Sequence, residues 1–159
     1  MSKQIPLTQG KFAIVDDDMF EYLNQWKWCV SESAKGVYYA CRNVSADGKQ
    51  TLLLMHKLVA EASKQSVVDH INKDLLDNRK NNLRICSRTQ SNWHRKKGIK
   101  KSSRYKGVSL HKPTQKWRVR ITLNYKQYYL GRYKDEIDAA LAYDKAAKEM
   151  FGKFALLNF

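Results

Sequence analysis

Cysteine is scarce in this chain and gives no pairing pattern. Cys29, Cys41 and Cys86 are odd in number, and no C-x-x-C pair occurs. That argues against a zinc ribbon or a disulfide framework, and three free thiols fit a reducing interior, so a cytoplasmic, nucleoid-associated location is expected. Long apolar runs are missing too. No stretch approaches the roughly 18 apolar residues that span a bilayer, so no membrane partner is expected. The opening MSKQIPLTQGKF is too polar for a signal peptide. The third scarcity is acidic charge in one half of the chain. Residues 1–78 carry 9 basic and 10 acidic side chains, whereas residues 79–159 carry 21 basic and 5 acidic, which accounts for the net charge of +15. A neutral half joined to a strongly basic one points to a polyanion, most often nucleic acid. The chain has no RNP aromatic pattern and no GXXG loop, which weakens an RNA-associated reading.

What is present reads as α+β, as two small folded regions of modest stability in the absence of DNA and metal. Residues 1–55 read mostly as β. Lys11–Val15 and Trp26–Val30 are strand signals, and Val37–Val44 with Gln50–Met55 form a hairpin around Asp47-Gly48. Asp16-Asp17-Asp18 starts a turn or helix with Met19, Tyr22 and Leu23 on one face, and His56–Ala62 is a short helix. Next, Ser66–Val68 and Leu83–Cys86 flank a loop, Asn72–Asn82, crowded with Asp and Asn that favour turns. Ser87 with Gln90 makes a capping box for a helix carrying Gln90, Asn92 and His94. RKKGIKKSSR, residues 95–104, is a basic linker with Gly and Ser. Beyond it, Gly107–His111, Lys116–Leu123 and Lys126–Gly131 read as strands. Asp135 caps a final helix with Ile137, Ala140, Leu141, Ala147 and Phe151 on its apolar face, and Gly152 ends it.

The segment VVDHINKDLLDNRKNNLRICSRTQSN carries the chemistry. Phosphodiester hydrolysis needs a general base for water and a hard cation for the phosphate charge. Mg²⁺ keeps several waters, so one or two protein oxygens suffice. Asp69 offers a carboxylate and Asn92 an amide oxygen. His70 adjoins Asp69 at a strand end, and Asn82 is placed to hold the His70 backbone or ring. The ordered run Asp69, His70, Ile71, Asn72, Asp74, Asp77, Asn78, Arg79, Asn82, Leu83, Arg84 resembles the HNH family, in particular its phage-type homing endonucleases, and Met55–Val59 resembles the family's lead-in. The resemblance implies a ββα-metal fold, with His70 as general base, Asn82 positioning it, and Asp69 and Asn92 binding the metal. An Asn in the third position favours Mg²⁺ or Mn²⁺ over Zn²⁺. His56 and His94 are possible accessory residues, His56 structural or on a phosphate, His94 on a phosphate or in solvent.

The segment from Arg104 to Phe159 resembles the plant ethylene-response-factor DNA-binding domain. The anchors are Tyr105–Val108, Lys116-Trp117, Leu130-Gly131, Ala139-Ala140, Ala142–Asp144, Ala146-Ala147 and Leu157–Phe159. It implies a three-stranded antiparallel sheet packed on one helix, with the sheet on DNA. Alternation places Lys116, Arg118 and Arg120 on one face of the second strand and Trp117, Val119 and Ile121 on the other. Lys106, Ser109, His111 and Lys112 are the polar candidates of the first strand, and Arg95, Lys96 and Lys97 those of the linker. Ser109 and His111 stand where plant members carry arginine, so fewer bidentate guanine contacts and more phosphate contacts are expected.

The expected organisation is a β-rich region and nuclease at 1–95 (core 52–95), a linker at 96–104 and a DNA-binding domain at 105–159. The expected function is a metal-dependent, homing-type HNH endonuclease acting on double-stranded DNA, as monomer or homodimer. The alternative is a non-catalytic DNA-binding regulator with a degenerate nuclease centre.

Overall fold

The structure, a computed structural model, describes every residue except Asp47, Lys64, Lys97, Ile99, Lys100 and Lys101, and of Ala46 the backbone alone. The expected turn at Asp47 and the expected DNA contact of Lys97 lie outside the described residues. Helices and antiparallel sheets alternate along the chain, as α+β predicts. Two compact units result, Met1–Ser87 and Arg88–Phe159.

The first unit opens with a hairpin of β1 (Ser2–Pro6) and β2 (Phe12–Asp16). Sequence reading assigned no strand to Ser2–Pro6. Helix α1 (Asp17–Asn24) follows without a break, and Asp17 and Asp18 in its first turn oppose the positive end of its dipole. Strands β3 (Cys29–Ala34), β4 (Val37–Ala46) and β5 (Lys49–Leu54) form a meander in that order. The expected strand at Trp26–Val30 begins three residues later. Trp26 N–H is still bonded to Leu23 O, Trp28 Nε1 donates to the same carbonyl at 2.8 Å, and the Trp26 ring packs on Tyr22 and under Arg42. Helix α2 (Met55–Val59) drops directly from β5, and the short hairpin of β6 (Val67–His70) and β7 (Leu83–Cys86) completes the unit. Ile5, Ala13, Val15, Leu23, Trp28, Ala40, Met55 and Val59 form one core, with Leu76 and Leu83 packed against it. The core therefore reaches from the first hairpin to the edge of the Asp-Asn loop.

The second unit holds α3 (Arg88–Trp93), β8 (Val108–His111), β9 (Lys116–Leu123), β10 (Lys126–Tyr133) and α4 (Glu136–Phe151), with sheet order β10-β9-β8. Asp135 caps α4 as expected, accepting from Ile137 N at 2.6 Å and Asp138 N at 3.1 Å. The expected apolar face needs one correction: Ile137 and Leu141 are about half exposed, while Ala139, Ala140, Tyr143, Ala147 and Phe151 are buried. Ile137 and Leu141, one turn apart, share an outer stripe, and the alanines let the helix approach the sheet closely. At the sheet's entrance Gly107 has φ +77, and a Cβ there would lie 1.9 Å from the Tyr143 ring. Buried Asp144 accepts Asn158 N at 2.9 Å and Phe159 N at 3.1 Å, and Asn158 Oδ1 accepts Lys106 N at 2.7 Å. These bonds explain why Asp144 and Asn158 stand among the motif's anchors.

Candidate functional site

The Asp-Asn loop is organised around one buried carboxylate. Asp77 is 1% exposed and takes a bidentate fork from Arg79, Nε to Oδ1 at 2.8 Å and Nη2 to Oδ2 at 2.7 Å. Asn72 Nδ2 donates to Oδ2 at 2.7 Å. The Arg79 fork holds the Asp77 carboxyl below the usual carboxylate range, more than burial raises it. Asn82 closes the loop from its other end, donating to Asp77 O at 2.8 Å and accepting from Asn72 N at 2.9 Å.

The N-terminal hairpin buttresses this loop. Ile14 of β2 pairs in parallel with Asp77, through Ile14 N to Leu76 O at 2.9 Å and Asn78 N to Ile14 O at 2.7 Å. Asp16 Oδ2 accepts Lys80 N at 2.6 Å and Asp18 accepts Lys80 Nζ at 2.9 Å. Residues 1–55 had no assigned role in the sequence, and this docking supplies one.

Asp69 and His70 end β6 beside the loop. Asp69 is paired in register with Arg84, whose Nη2 and Nε reach Oδ2 at 2.6 Å and 2.9 Å, while Lys73 Nζ stands 3.4 Å from Oδ1. His70 is 2% exposed, and its Nε2 lies 3.5 Å from Asn78 Oδ1. Burial pushes the imidazole pKa below its ordinary value, against the pull of Asn78 and of Asp69, Asp74 and Asp77, so the ring is neutral near pH 7. Sequence reasoning gave Asn82 the task of holding His70. Here the side chain facing the ring is Asn78, and Asn82 braces the loop instead, its backbone carbonyl accepting Ile71 N at 2.9 Å. Asn78 and Arg84 were legible only as motif letters. Laying the two four-residue strands antiparallel, end against end, brings Asp69 opposite Arg84, a signal left unused.

His56 is buried at the start of α2, with its ring 5.1 Å from that of His70 and 5.5 Å from that of Tyr39. Burial, reinforced by His70 and Lys57, pushes its pKa down to about 3. Among the described residues no three His, Cys, Asp or Glu side chains gather as a metal-binding group.

The remaining candidates belong to the second unit. Asn92 lies on α3, where it lines a cleft of about 360 Å³ with Trp93, Lys106, Arg120 and Tyr125. The two expected metal ligands, Asp69 and Asn92, thus fall on different units. His94, expected on phosphate or in solvent, is 4% exposed just beyond α3, whose Trp93 ring stacks on Phe151 at 4.7 Å. Arg95 and Lys96 are exposed.

The outer face of β9 is basic as expected. Val119 and Ile121 are buried, Trp117 packs against the same core, and Lys116, Arg118 and Arg120 alternate with them. In register, Ser109 of β8 and Arg132 of β10 flank Arg118, and His111 faces Lys116. Desolvation, followed by the charges of the flanking Arg132 and Arg118, lowers the His111 pKa, and its Nδ1 meets Thr114 Oγ1 at 2.8 Å. Lys106 is committed elsewhere, with its Nζ donating to Trp93 O. Lys112 is exposed, Tyr128 packs on the core side, and Tyr129 is exposed.

Comparison with known proteins divides along the same line. The chain is 27% identical over 158 residues to an uncharacterized HNH endonuclease of Acanthamoeba polyphaga mimivirus, covering 94% of this chain and 76% of that protein. APETALA2-like protein 2 of Oryza sativa subsp. indica is 43% identical over 60 residues, which is 36% of this chain and 14% of that protein. An AP2-like ethylene-responsive transcription factor of Arabidopsis thaliana is 31% identical over 114 residues, 64% of this chain and 38% of that protein. The chain therefore spans only a minor part of the plant proteins. Residues 103–153, which hold the basic sheet and α4, match the AP2 domain, and the chain as a whole is similar to a viral HNH endonuclease.

Proposed function

We propose that the chain is a metal-dependent DNA endonuclease of the HNH homing type. A nuclease region at residues 1–95, with a ββα-metal core at 52–95, is delivered to double-stranded DNA by the basic AP2-type region at 105–159 across the basic stretch 96–104. The observation that carries this reading is His70: a buried, neutral imidazole at the end of β6, beside Asp69 and facing Asn78 in a loop fixed by Asp77. Near-full-length similarity to a protein described as an HNH endonuclease supports it.

His70 donates Nε2–H toward Asn78 Oδ1 in the tautomer that suits this contact, which leaves the Nδ1 lone pair to take a proton from the attacking water. Asp69 Oδ2 is held by Arg84 at 2.6 Å, whereas Lys73 stands farther from Oδ1, at 3.4 Å. One such carboxylate oxygen suits a hard ion that keeps most of its waters and does not suit a four-ligand zinc centre. Bound Mg²⁺ or Mn²⁺ would supply charge neutralisation at the scissile phosphate and leaving oxygen. Arg118, Arg120, Lys116, Lys112, Ser109 and His111 would hold DNA, chiefly through phosphates, and Arg95, Lys96 and Lys97 would extend the contact.

The test is cleavage of supercoiled plasmid with Mg²⁺ or Mn²⁺, against His70→Ala and an EDTA control. Metal-dependent nicking or linearisation that vanishes in the variant, with DNA binding retained, supports the assignment. One observation favours a second reading, a DNA-binding regulator with a silent nuclease centre: His70 is 2% exposed and Asp69 is tied to Arg84 and Lys73. Tight DNA binding without cleavage of a genomic-library substrate selects that reading.

A further inference from the structure

His56 is a second buried histidine that the mechanism above does not use. It is 5% exposed on α2, and its Nδ1 has no hydrogen-bond partner among the described residues. An unpaired buried nitrogen costs stability, so a side chain kept only to fill this space would carry none. Its ring stands edge to face with His70, at 83° and 5.1 Å, and Tyr39 of β4 backs it from 5.5 Å. The contact from Asn78 to His70 is 3.5 Å, the outer limit of a hydrogen bond, and is too weak to fix the ring plane alone. His70 is also the last residue of β6, in the final pair of its ladder with β7.

We propose that His56 is a positioning residue: its ring, braced by Tyr39, is the wall that holds the His70 imidazole in one plane against Asn78. The inference rests on His70 being the base. Three elements, β4, α2 and β6, thereby converge on one ring. The wall explains why α2 starts immediately after β5, bringing His56 into the interior within two residues of the strand.

The full-length protein is compared with His56→Ala, His56→Asn and His56→Phe. Removing the ring as Ala or Asn should lower kcat about 10- to 100-fold, the loss expected for a misaligned reacting group, while KM and DNA affinity stay unchanged. His56→Phe retains a ring and discards the unpaired nitrogen, so kcat should return toward wild type while the melting temperature rises. Nitrogen-15 spectra of His70 give a readout independent of cleavage: one tautomer in the wild type, a mixture in His56→Ala. Activity in His56→Asn equal to wild type would overturn the proposal, because a polar atom rather than a ring would then matter. An unchanged His70 spectrum in a folded His56→Ala would overturn it equally. If the wild type cuts no DNA, the nuclease reading fails, and the His70 spectra still decide whether His56 sets the ring.

Discussion

Asp69 and Arg84 face each other across the β6–β7 ladder, and the guanidinium closes on a single carboxylate oxygen from two nitrogens. The side chains are only 8% and 13% exposed. Removing one member of such a pair strands the other charge. Arg84→Met should destabilise the first unit by about 3 kcal/mol, and Arg84→Lys by less, since a lysine keeps the charge and loses the fork. Urea unfolding followed by the fluorescence of buried Trp28 measures both, and an unchanged midpoint for Arg84→Met would refute the pairing.

The Asp77 carboxylate is a comparable keystone for the loop. Asp77→Asn removes the charge that Arg79 forks, at an expected cost of about 2 kcal/mol for a buried charge-assisted network. Hydrogen exchange should accelerate at Asn72, Arg79 and Ile14 before the second unit is affected. Uniform acceleration over the whole chain would show that the loop has no local stability of its own.

The two buried histidines make the first unit acid-sensitive. The folded pKa of His56, about 3, lies below the unfolded value of 6.5, and that of His70 is lowered as well. The unfolded chain therefore binds more protons as pH drops below 6.5, so stability is full above that pH and is lost on acidification. For His56 the slope approaches about 1.4 kcal/mol per pH unit below pH 6.5. His56→Phe should flatten the dependence between pH 6.5 and pH 5, and an identical slope in the variant would rule out His56 as a source.

In the second unit, Gly107→Ala should be severe. The added methyl meets the Tyr143 ring at 1.9 Å, and φ +77 is strained for any L side chain. A loss of about 3 kcal/mol is expected, confined to the unfolding transition of that unit. Adding Tyr143→Ala to Gly107→Ala should recover none of the strain that belongs to φ, which separates the two causes.

Arg118→Ala should weaken DNA binding and lower the slope of log affinity against log salt by about 1 if the residue neutralises one phosphate. The effect should be similar for unrelated DNA sequences. An unaltered slope would mean that this face of β9 does not touch DNA.

Much of this architecture was legible because hydrophobic alternation and capping are local. Lys116–Leu123, the Asp135 cap and Leu83–Cys86 were placed at or near their observed limits. Contacts between distant segments were not legible. Nothing near Ile14 announces a parallel bridge to Asp77, and Trp26 reads as strand until the end of α1 claims its N–H. In α4, periodicity admitted Ile137 and Leu141 to the apolar face, and only packing reveals that Tyr143 takes the interior. The dense motif made Asp69, His70, Asn78 and Asn82 legible as neighbours of one loop, and the structure gathers them there. Which asparagine faces His70 depends on loop geometry that spacing does not encode.

The bridge from Ile14 to Asp77, with Asp16 on Lys80, has a consequence for portability. The densest part of the motif is not a cassette. A transplant that begins at residue 52 leaves behind the strand that holds the loop's backbone and the carboxylate that receives Lys80. Any graft of this chemistry onto another scaffold has to carry the opening hairpin with it, or supply a foreign strand at the same edge.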